Sequence, residues 1–427
     1  MMLPRWIRDC WQNGGLSGRL WLGAWALAIL GLLATVLIAA GERNDMDIFL
    51  KASSDLLDGK NAYELRYNEW YRYFYSPFFA LVVAPLGLFG AVGAKLLWGF
   101  SIVVLVIRCM AIMERWLRMD ECDTVTRARF HALLLLLLFQ PVRDNINSNQ
   151  LTPLLVWAML EGVRLIRDGR SAWGGLLIAF GMDIKLIPVV LLPYLLWRRH
   201  WHGAIATVLL FVAMQVAPAL VLGWDQLMEL DRTRAELLNP GDPRHILDEE
   251  EPSFISLGSL LSAYLSTEGG SSNTMDLPRN LAALSLGEIA ALLFVGRAVL
   301  VALTLFFVRW PPFRSASDGR LVLREVSYLM LCTILLFPHQ RNYSMLLAAP
   351  AVAYLLHARL SMNASGAARR WTILLALAFI GLNAEMLLGE FADVYAHYKL
   401  KSFVVIGLIA MLFSAPSNRT AVEVSNR

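Results

Sequence analysis

The sequence predicts an all-α polytopic membrane protein, and three observations carry that prediction. Of 427 residues, 57% are hydrophobic and 17% charged, whereas a soluble domain is roughly half apolar and a quarter charged. The apolar residues fall in long runs, such as 21–40 and 281–308, each of membrane-crossing length. The basic residues gather in the short segments between such runs, where they report orientation. A net charge of +4 is too modest to argue for a nucleic-acid partner. Of the cysteines, Cys109 and Cys332 lie in or beside apolar runs, while Cys10 and Cys122 lie in basic segments. No CxxC pair occurs, so neither a disulfide framework nor a cysteine metal site is expected. No internal repeat and no inverted pair of broken helices is apparent.

Taken in order, the N-terminal segment 1–20 carries Arg5, Arg8 and Arg19 and reads as cytoplasmic. The apolar stretch after it is too long for a signal-peptide core, so it reads as a retained first helix, 21–40. That helix delivers Asp45 and Asp47 to the outside. The first outer loop, 41–75, is polar and aromatic. Its residues 48–57 suit an amphipathic helix at the interface, with Phe49, Leu50, Leu56 and Leu57 as apolar anchors. The next piece, 77–90, is short and broken by Pro77, Pro85, Gly87 and Gly90. If it crosses, the clusters Arg115–Arg129, Arg167–Arg170, Arg198–Arg199 and Arg309–Arg320 all lie outside. If it is re-entrant, all lie inside, and the positive-inside rule decides for that reading. Helices 95–113, 130–142, 151–165, 173–184, 186–197 and 203–223 then alternate up to a large outer segment, 224–280. Helices 281–308, 325–337, 344–357, 371–388 and 401–414 follow. The membrane domain 21–415 thus makes about twelve crossings, several of them short, and the tail 416–427 is cytoplasmic.

This orientation collects on one side the polar residues that are not orientation anchors. They are Asp45, Asp47, Arg143, Asn145, Asn149, Gln150, Lys185, His339, Arg341 and Asn342, drawn from four separate stretches. Irregular polar backbone at membrane depth survives only inside protein or along a wet cavity, so together they imply one outward-facing polar cavity. Each has a plainer reading. Asp45 and Asp47 suit solvated interfacial carboxylates. Lys185 suits a contact with Asp183 or a lipid headgroup. Arg143, Asn149 and Gln150 suit helix caps, and His339 with Arg341 suits a turn. Their common sidedness is stronger than any one of them. Asp45 and Asp47 stand two apart, so on a helix only one faces the cavity.

A carboxylate beside several cations suits one chemistry. A lipid-phosphate sugar donor needs cations for its phosphate, and an attacking hydroxyl needs a base. A transporter or flippase of a lipid-linked or anionic substrate is the alternative, and it would carry its charges near the midplane on paired broken helices.

The spacing of several motifs resembles glycosyltransferase family 87, of the GT-C superfamily, over about residues 20–390. Asp45, Phe49, Ala52-Ser53-Ser54, Gly59 and Tyr63 match the family's first-loop pattern and align Asp45, not Asp47, with its base. Tyr75-Ser76-Pro77 and Ala84-Pro85-Leu86 match Tyr-Pro-Pro and Ala-Pro-Leu, with Ser76 departing. Pro141-Val142-Arg143 and Asn149-Gln150-Leu151-Thr152 match Pro-Val-Arg and Gly-Gln-x-Asn, with Gly and Asn both replaced. Lys185-Leu186-Ile187-Pro188 matches Lys-x-x-Pro and is followed by basic Trp197–Trp201. An outer-loop Asn-Gln-Ser-Leu is echoed only in Pro252–Leu257, and a late Ser-Trp-x-His-His only in Phe337–Asn342.

The resemblance implies a GT-C-type fold and an inverting membrane enzyme. It would transfer a hexose, mannose by analogy, from a polyprenyl-phosphate donor to a lipid or glycan acceptor. The active site would face outward from the bacterial inner membrane, with no cofactor and no metal. Asp45 would be the base, with Asp47 second. Lys185, Arg143, Arg341 and His339 would contact the donor phosphate, and Gln150, Asn149 and Tyr75 the sugar or acceptor.

Overall fold

The computed structural model describes residues 5–415 except 69–70, 240, 250, 267–274, 309–311, 314–317 and 363–364. The expected tail 416–427 lies outside the described residues. So do the Gly269–Ser272 stretch, Arg309 and Arg314. The described chain is helical from end to end, and its only strand pairings are two isolated bridges.

In chain order the first half comprises α1 (Arg5–Asn13), α2 (Gly15–Ala39), α3 (Asp45–Leu57), α4 (Pro77–Val83), α5 (Gly90–Trp116), α6 (Thr124–Leu137), α7 (Phe139–Asn147), α8 (Thr152–Arg167), α9 (Ser171–Ile184), α10 (Leu191–Trp197) and α11 (Trp201–Val216). The second half comprises α12 (Ala219–Leu222), α13 (Trp224–Leu237), α14 (Pro243–Leu247), α15 (Leu257–Leu265), α16 (Leu286–Phe307), α17 (Gly319–Leu336), α18 (Ala349–Leu360), α19 (Gly366–Leu382), α20 (Ala384–Leu388), α21 (Ala392–His397) and α22 (Leu400–Ser414).

Among the described residues four helical stretches are long and apolar enough to cross a membrane: Gly15–Ala39, Pro77–Trp116, Trp201–Leu222 and Leu286–Phe307. Counting the bent pairs α6–α7 (53°) and α19–α21 (79°) as one span each gives six. The piece 77–90 is α4 and a 3-10 turn, Ala84–Phe89, running into α5 through Gly90 at φ +67°. It forms part of one 40-residue apolar stretch.

The expected single helix over 130–142 is two helices because of Pro141. Proline has no N–H, and its ring clashes with the carbonyl four residues back, which is that of Leu137. Breaking a helix frees backbone groups that apolar surroundings cannot satisfy. Asn383, fully buried at the second bend, supplies both partners. Its Oδ1 accepts from Gln140 N at 2.9 Å and its Nδ2 donates to Leu137 O at 3.0 Å. One amide side chain thus ties the two bends together.

Close helix contact in α8, α9 and α11 depends on glycine, as expected where apolar burial gives no drive between helices. A Cβ on Gly174 would sit 2.5 Å from Gly162 O, and one on Gly175 2.8 Å from the Ala206 Cβ.

Two features at the basic-loop end differ from expectation. Arg198, read as an orientation anchor, is 4% exposed and holds Glu325, 0% exposed, with its Nε at 3.0 Å. Segment 1–20 contains α1, whose Trp6 stacks on His131 at 5.0 Å while the Arg127 guanidinium lies 4.9 Å above the same indole. Glu114 holds both Arg127 and His131, the latter at 3.0 Å.

Candidate active site

The site begins with the start of α3. Asn44 caps it: its side-chain oxygen accepts from Met46 N at 3.2 Å, and Asp47 reaches back to accept from Asn44 N at 2.9 Å. This reciprocal box starts the helix at Asp45, three residues before the expected Ile48. Asp47 also pairs with buried Lys95 at 2.8 Å, and Lys95 donates to Glu42 O at 2.6 Å. Asp47 is therefore engaged in holding the loop to α5, and Asp45 points elsewhere, as the spacing requires. The apolar face of α3 is not laid on a membrane surface. Phe49 and Leu56 are buried in the protein core, and of the expected anchors only Leu57 is well exposed.

Asp45 accepts a hydrogen bond from the Gln150 side-chain amide, and its own N–H reaches Ser148 O at 3.3 Å. Trp98 Nε1 holds Gln150 by its carbonyl at 3.2 Å. Burial pushes the Asp45 carboxyl up to about 6, against the opposing pull of Arg341, the Gln150 bond and Lys185. It is ionised at neutral pH and is a better base than an exposed aspartate.

Lys185 follows the last turn of α9 in extended backbone. Burial pulls its ammonium down to about 8, with Asp248 and Asp45 favouring the charged form and Arg341 opposing it. Among the described residues Lys185 forms no ion pair within 4.0 Å. The plainer reading of Lys185 as a partner of Asp183 does not hold. Asp183 accepts instead from Ser76 Oγ at 2.5 Å and Gln215 Nε2 at 2.7 Å. Gln215 Oε1 in turn accepts from Arg234 at 2.8 Å. Ser76 also caps α4, accepting from Phe79 N at 2.9 Å, so a serine at this position has a structural use of its own.

Arg341 pairs with Glu251 and lies 5.4 Å above the Tyr71 ring. His339 adopts a left-handed backbone, φ +56°. Its N–H donates to Asp248 at 2.9 Å, its Nδ1 lies 3.2 Å from the same carboxylate, and its Nε2 lies 2.5 Å from His245 Nδ1. Ile255 N donates to Gln340 O at 2.8 Å. The segments 252–257 and 337–342 are therefore neighbours, joined through main chain. Lys399, almost fully buried, secures the first of them by donating to Pro252 O at 2.9 Å and Phe254 O at 3.2 Å.

Tyr75 packs edge-on against Phe49 at 5.0 Å, and its carbonyl accepts from Tyr63 OH at 2.7 Å. Tyr75 and Tyr343 both lie within electrostatic reach of Asp45 and Arg341. Asp45, Tyr75, Lys185, Arg341 and Tyr343 each keep accessible surface although protein surrounds them. They line a recess.

Two expected members stand apart. Arg143 lies beside Asp144 on α7 and is not among the charges acting on Asp45 or Lys185. Asn149 is a buried left-handed turn residue, φ +48°, whose N–H donates to Ile146 O at 3.1 Å. Sequence reasoning missed Asp248, Glu251 and Tyr343. The acidic run from Asp248 to Glu251 was visible, but nothing local said that it folds back onto 339–341. Among the described residues no group of three or more His, Cys, Asp or Glu is placed to hold a metal ion.

Fold and site together define a polytopic helical membrane protein that clusters a largely buried carboxylate with two cations. Residues 73–338 match the family model described as Glycosyltransferase family 87, and the chain belongs to that family. A Mycolicibacterium smegmatis protein named polyprenol-phosphate-mannose-dependent α-(1-2)-phosphatidylinositol pentamannoside mannosyltransferase is 28% identical over 225 residues, 51% of this chain and 52% of that one. A protein of the same name from Mycobacterium tuberculosis is 30% identical over 154 residues, 35% of this chain and 34% of that one. The chain thus spans about half the length, or less, of the curated relatives it matches.

Proposed function

We propose that the protein is an inverting membrane hexosyltransferase that moves a sugar, mannose by analogy with its relatives, from a polyprenyl-phosphate donor to a lipid or glycan acceptor. The observation that carries this reading is the cluster around Asp45, which we take to line a recess. It sets one raised-pKa carboxylate, Asp45, beside Lys185 and Arg341. The donor phosphate occupies the Lys185 and Arg341 side, and Tyr75 and Gln150 lie along the path of the sugar. The acceptor hydroxyl oxygen attacks C1 of the donor sugar as its proton passes to Asp45. The C1–O bond to phosphate breaks from the opposite side, and the electron pair leaves on polyprenyl phosphate, which the two cations stabilise. No proton is needed by the leaving group. His339 is held by Asp248 at the edge of the phosphate subsite. The reaction requires no cofactor or metal.

Topology follows from the same reading. Twelve helical segments cross: α2, α5, α6–α7, α8, α9, the stretch 187–197, α11–α12, α16, α17, the stretch 342–360, α19 and α22. Residues 77–89 stay on the side of α3 as a non-crossing, re-entrant piece. The N-terminus is cytoplasmic, and the recess faces outward from the plasma membrane. Reporter fusions at positions 120, 168 and 316 test this; three outside signals overturn it.

The function is tested with the protein in nanodiscs, supplied with polyprenyl-phosphate mannose labelled in the sugar and with extracted membrane lipids. Label appearing on a new lipid or glycan product, with polyprenyl phosphate released in equal amount and EDTA without effect, is the expected result. Donor movement across proteoliposomes with no product overturns the reading in favour of transport.

A further inference from the structure

Arg341, Asn342 and Tyr343 are consecutive and fan out in three directions. Arg341 reaches the Lys185 side of the recess, and Tyr343 faces Asp45. Asn342 goes the other way, donating its side-chain amide to Glu385. Glu385 also accepts from Lys401 Nζ at 2.6 Å and from Gln140 Nε2 at 2.9 Å. Gln140 and Asp144 stand four apart on α7 and share a face. Asp144 lies in the fields of Lys401, Glu385 and Arg143. A second polar group, unassigned by the reading above, is therefore joined through Asn342 to the segment that carries Arg341 and Tyr343.

Its composition states what it can hold. Gln140 and Lys401 are buried, 1% and 4% exposed, and form the floor. Asp144 and Glu385 keep accessible surface and present carboxylate oxygens. Lys401 and Arg143 balance the two carboxylates, so the group carries no excess charge to draw an anion, and its carboxylate oxygens accept from hydroxyls, which favours a polyol. Between Asp144 and Tyr343 lies Asn145, fully buried. Its Nδ2 bridges Pro141 O and Tyr343 O at 2.8 Å each, while its Oδ1 has no partner among the described residues. A buried acceptor without a donor is an exception that calls for one from water or ligand. The group also has a structural task, since Gln140 Oε1 accepts from Met386 N at 3.0 Å and Asn383 clamps the bends. That task does not use the Asp144 carboxylate.

We propose that Asp144 and Glu385, braced by Gln140, Lys401 and Asn342, form the subsite for the hydroxyl-rich sugar of the acceptor, with Tyr343 between it and Asp45. This rests on the glycosyltransferase reading, but its test does not need turnover. Binding of octyl α-mannoside to the full-length protein in nanodiscs is measured by calorimetry, for wild type, Asp144→Asn and Glu385→Gln. Polyprenyl-phosphate mannose binding and thermal midpoint are measured in parallel. Each variant replaces a carboxylate by an amide of the same shape. The expected result is mannoside affinity at least about tenfold weaker in both variants, with donor affinity within about twofold and the Asp144→Asn midpoint unmoved. Undetectable binding to wild type, equal binding in wild type and Asp144→Asn, or an equal loss of donor and mannoside affinity overturns the subsite. Failure of sugar transfer in the turnover assay, with mannoside binding and its loss intact, overturns the transferase reading alone.

Discussion

Charges sit in two regions of this molecule under opposite rules. At the basic-loop end, Arg198 and Glu325 are sealed together, as are Glu114, Arg127 and His131. At the Asp45 end, Lys185 has no ion pair among the described residues, and Asp45 faces two cations without being closed off by either. The sealed groups hold helices together. The open groups keep a recess charged, at a cost in burial that shows in the shifted Asp45 and Lys185. At the Asp45 end Arg341 and His339 have carboxylate partners of their own, in Glu251 and Asp248, and Lys185 has none within 4.0 Å among the described residues. Sidedness alone grouped Asp47 and Arg143 with Asp45.

The largest effect breaks the sealed region. Glu325→Gln leaves the Arg198 guanidinium buried and uncompensated, which costs about 3–5 kcal/mol. Thermal unfolding in detergent should show the loss, while sugar transfer per folded molecule is retained. In the open region the signs reverse. Lys185→Met should lower transfer about 100-fold or more by removing a cation from the leaving phosphate, with no fall in thermal midpoint. Transfer plotted against pH should be bell-shaped. It falls below about 6 as Asp45 takes a proton and above about 8 as Lys185 loses one. Lys185→Arg should abolish the alkaline limb, because guanidinium does not titrate there, and leave the acid limb. A symmetrical loss of both limbs assigns them to other groups. The smallest effect is at the helix start: Asn44→Ala should cost about 1 kcal/mol of stability.

The sequence carried the helical class and most helix positions, and it put Asp45, Gln150 and Lys185 in one candidate group, for identifiable reasons. Crossing helices announce themselves by length and apolarity, and Lys185 and Gln150 stood out as polar residues inside or between such runs. The capping box at Asn44 and Asp47 was also legible, as an N-cap residue followed three later by a carboxylate, and it would have separated Asp47 from Asp45 without a structure. Other features were not legible because they depend on distant partners. Pro141 breaks the helix expected over 130–142, and nothing local gave Asn383 as the repair of that break. Arg198 looks like any orientation anchor until Glu325, 127 residues later, is brought against it. Phe49 and Leu56 have the pattern of membrane anchors and the surroundings of a core. Asp248 and Glu251 sit in a polar loop whose return onto 339–341 is a tertiary event.

The claim at the centre is that Asp45, and not its neighbour two residues on, takes the proton. Transfer from labelled polyprenyl-phosphate mannose by purified Asp45→Asn and Asp47→Asn proteins, normalised to folded protein, tests it most directly. Asp45→Asn should lose about a thousandfold in rate with its thermal midpoint held. Asp47→Asn should lose stability through Lys95 and keep its rate within about tenfold. The reverse pattern, Asp45→Asn active and Asp47→Asn dead but folded, contradicts the account.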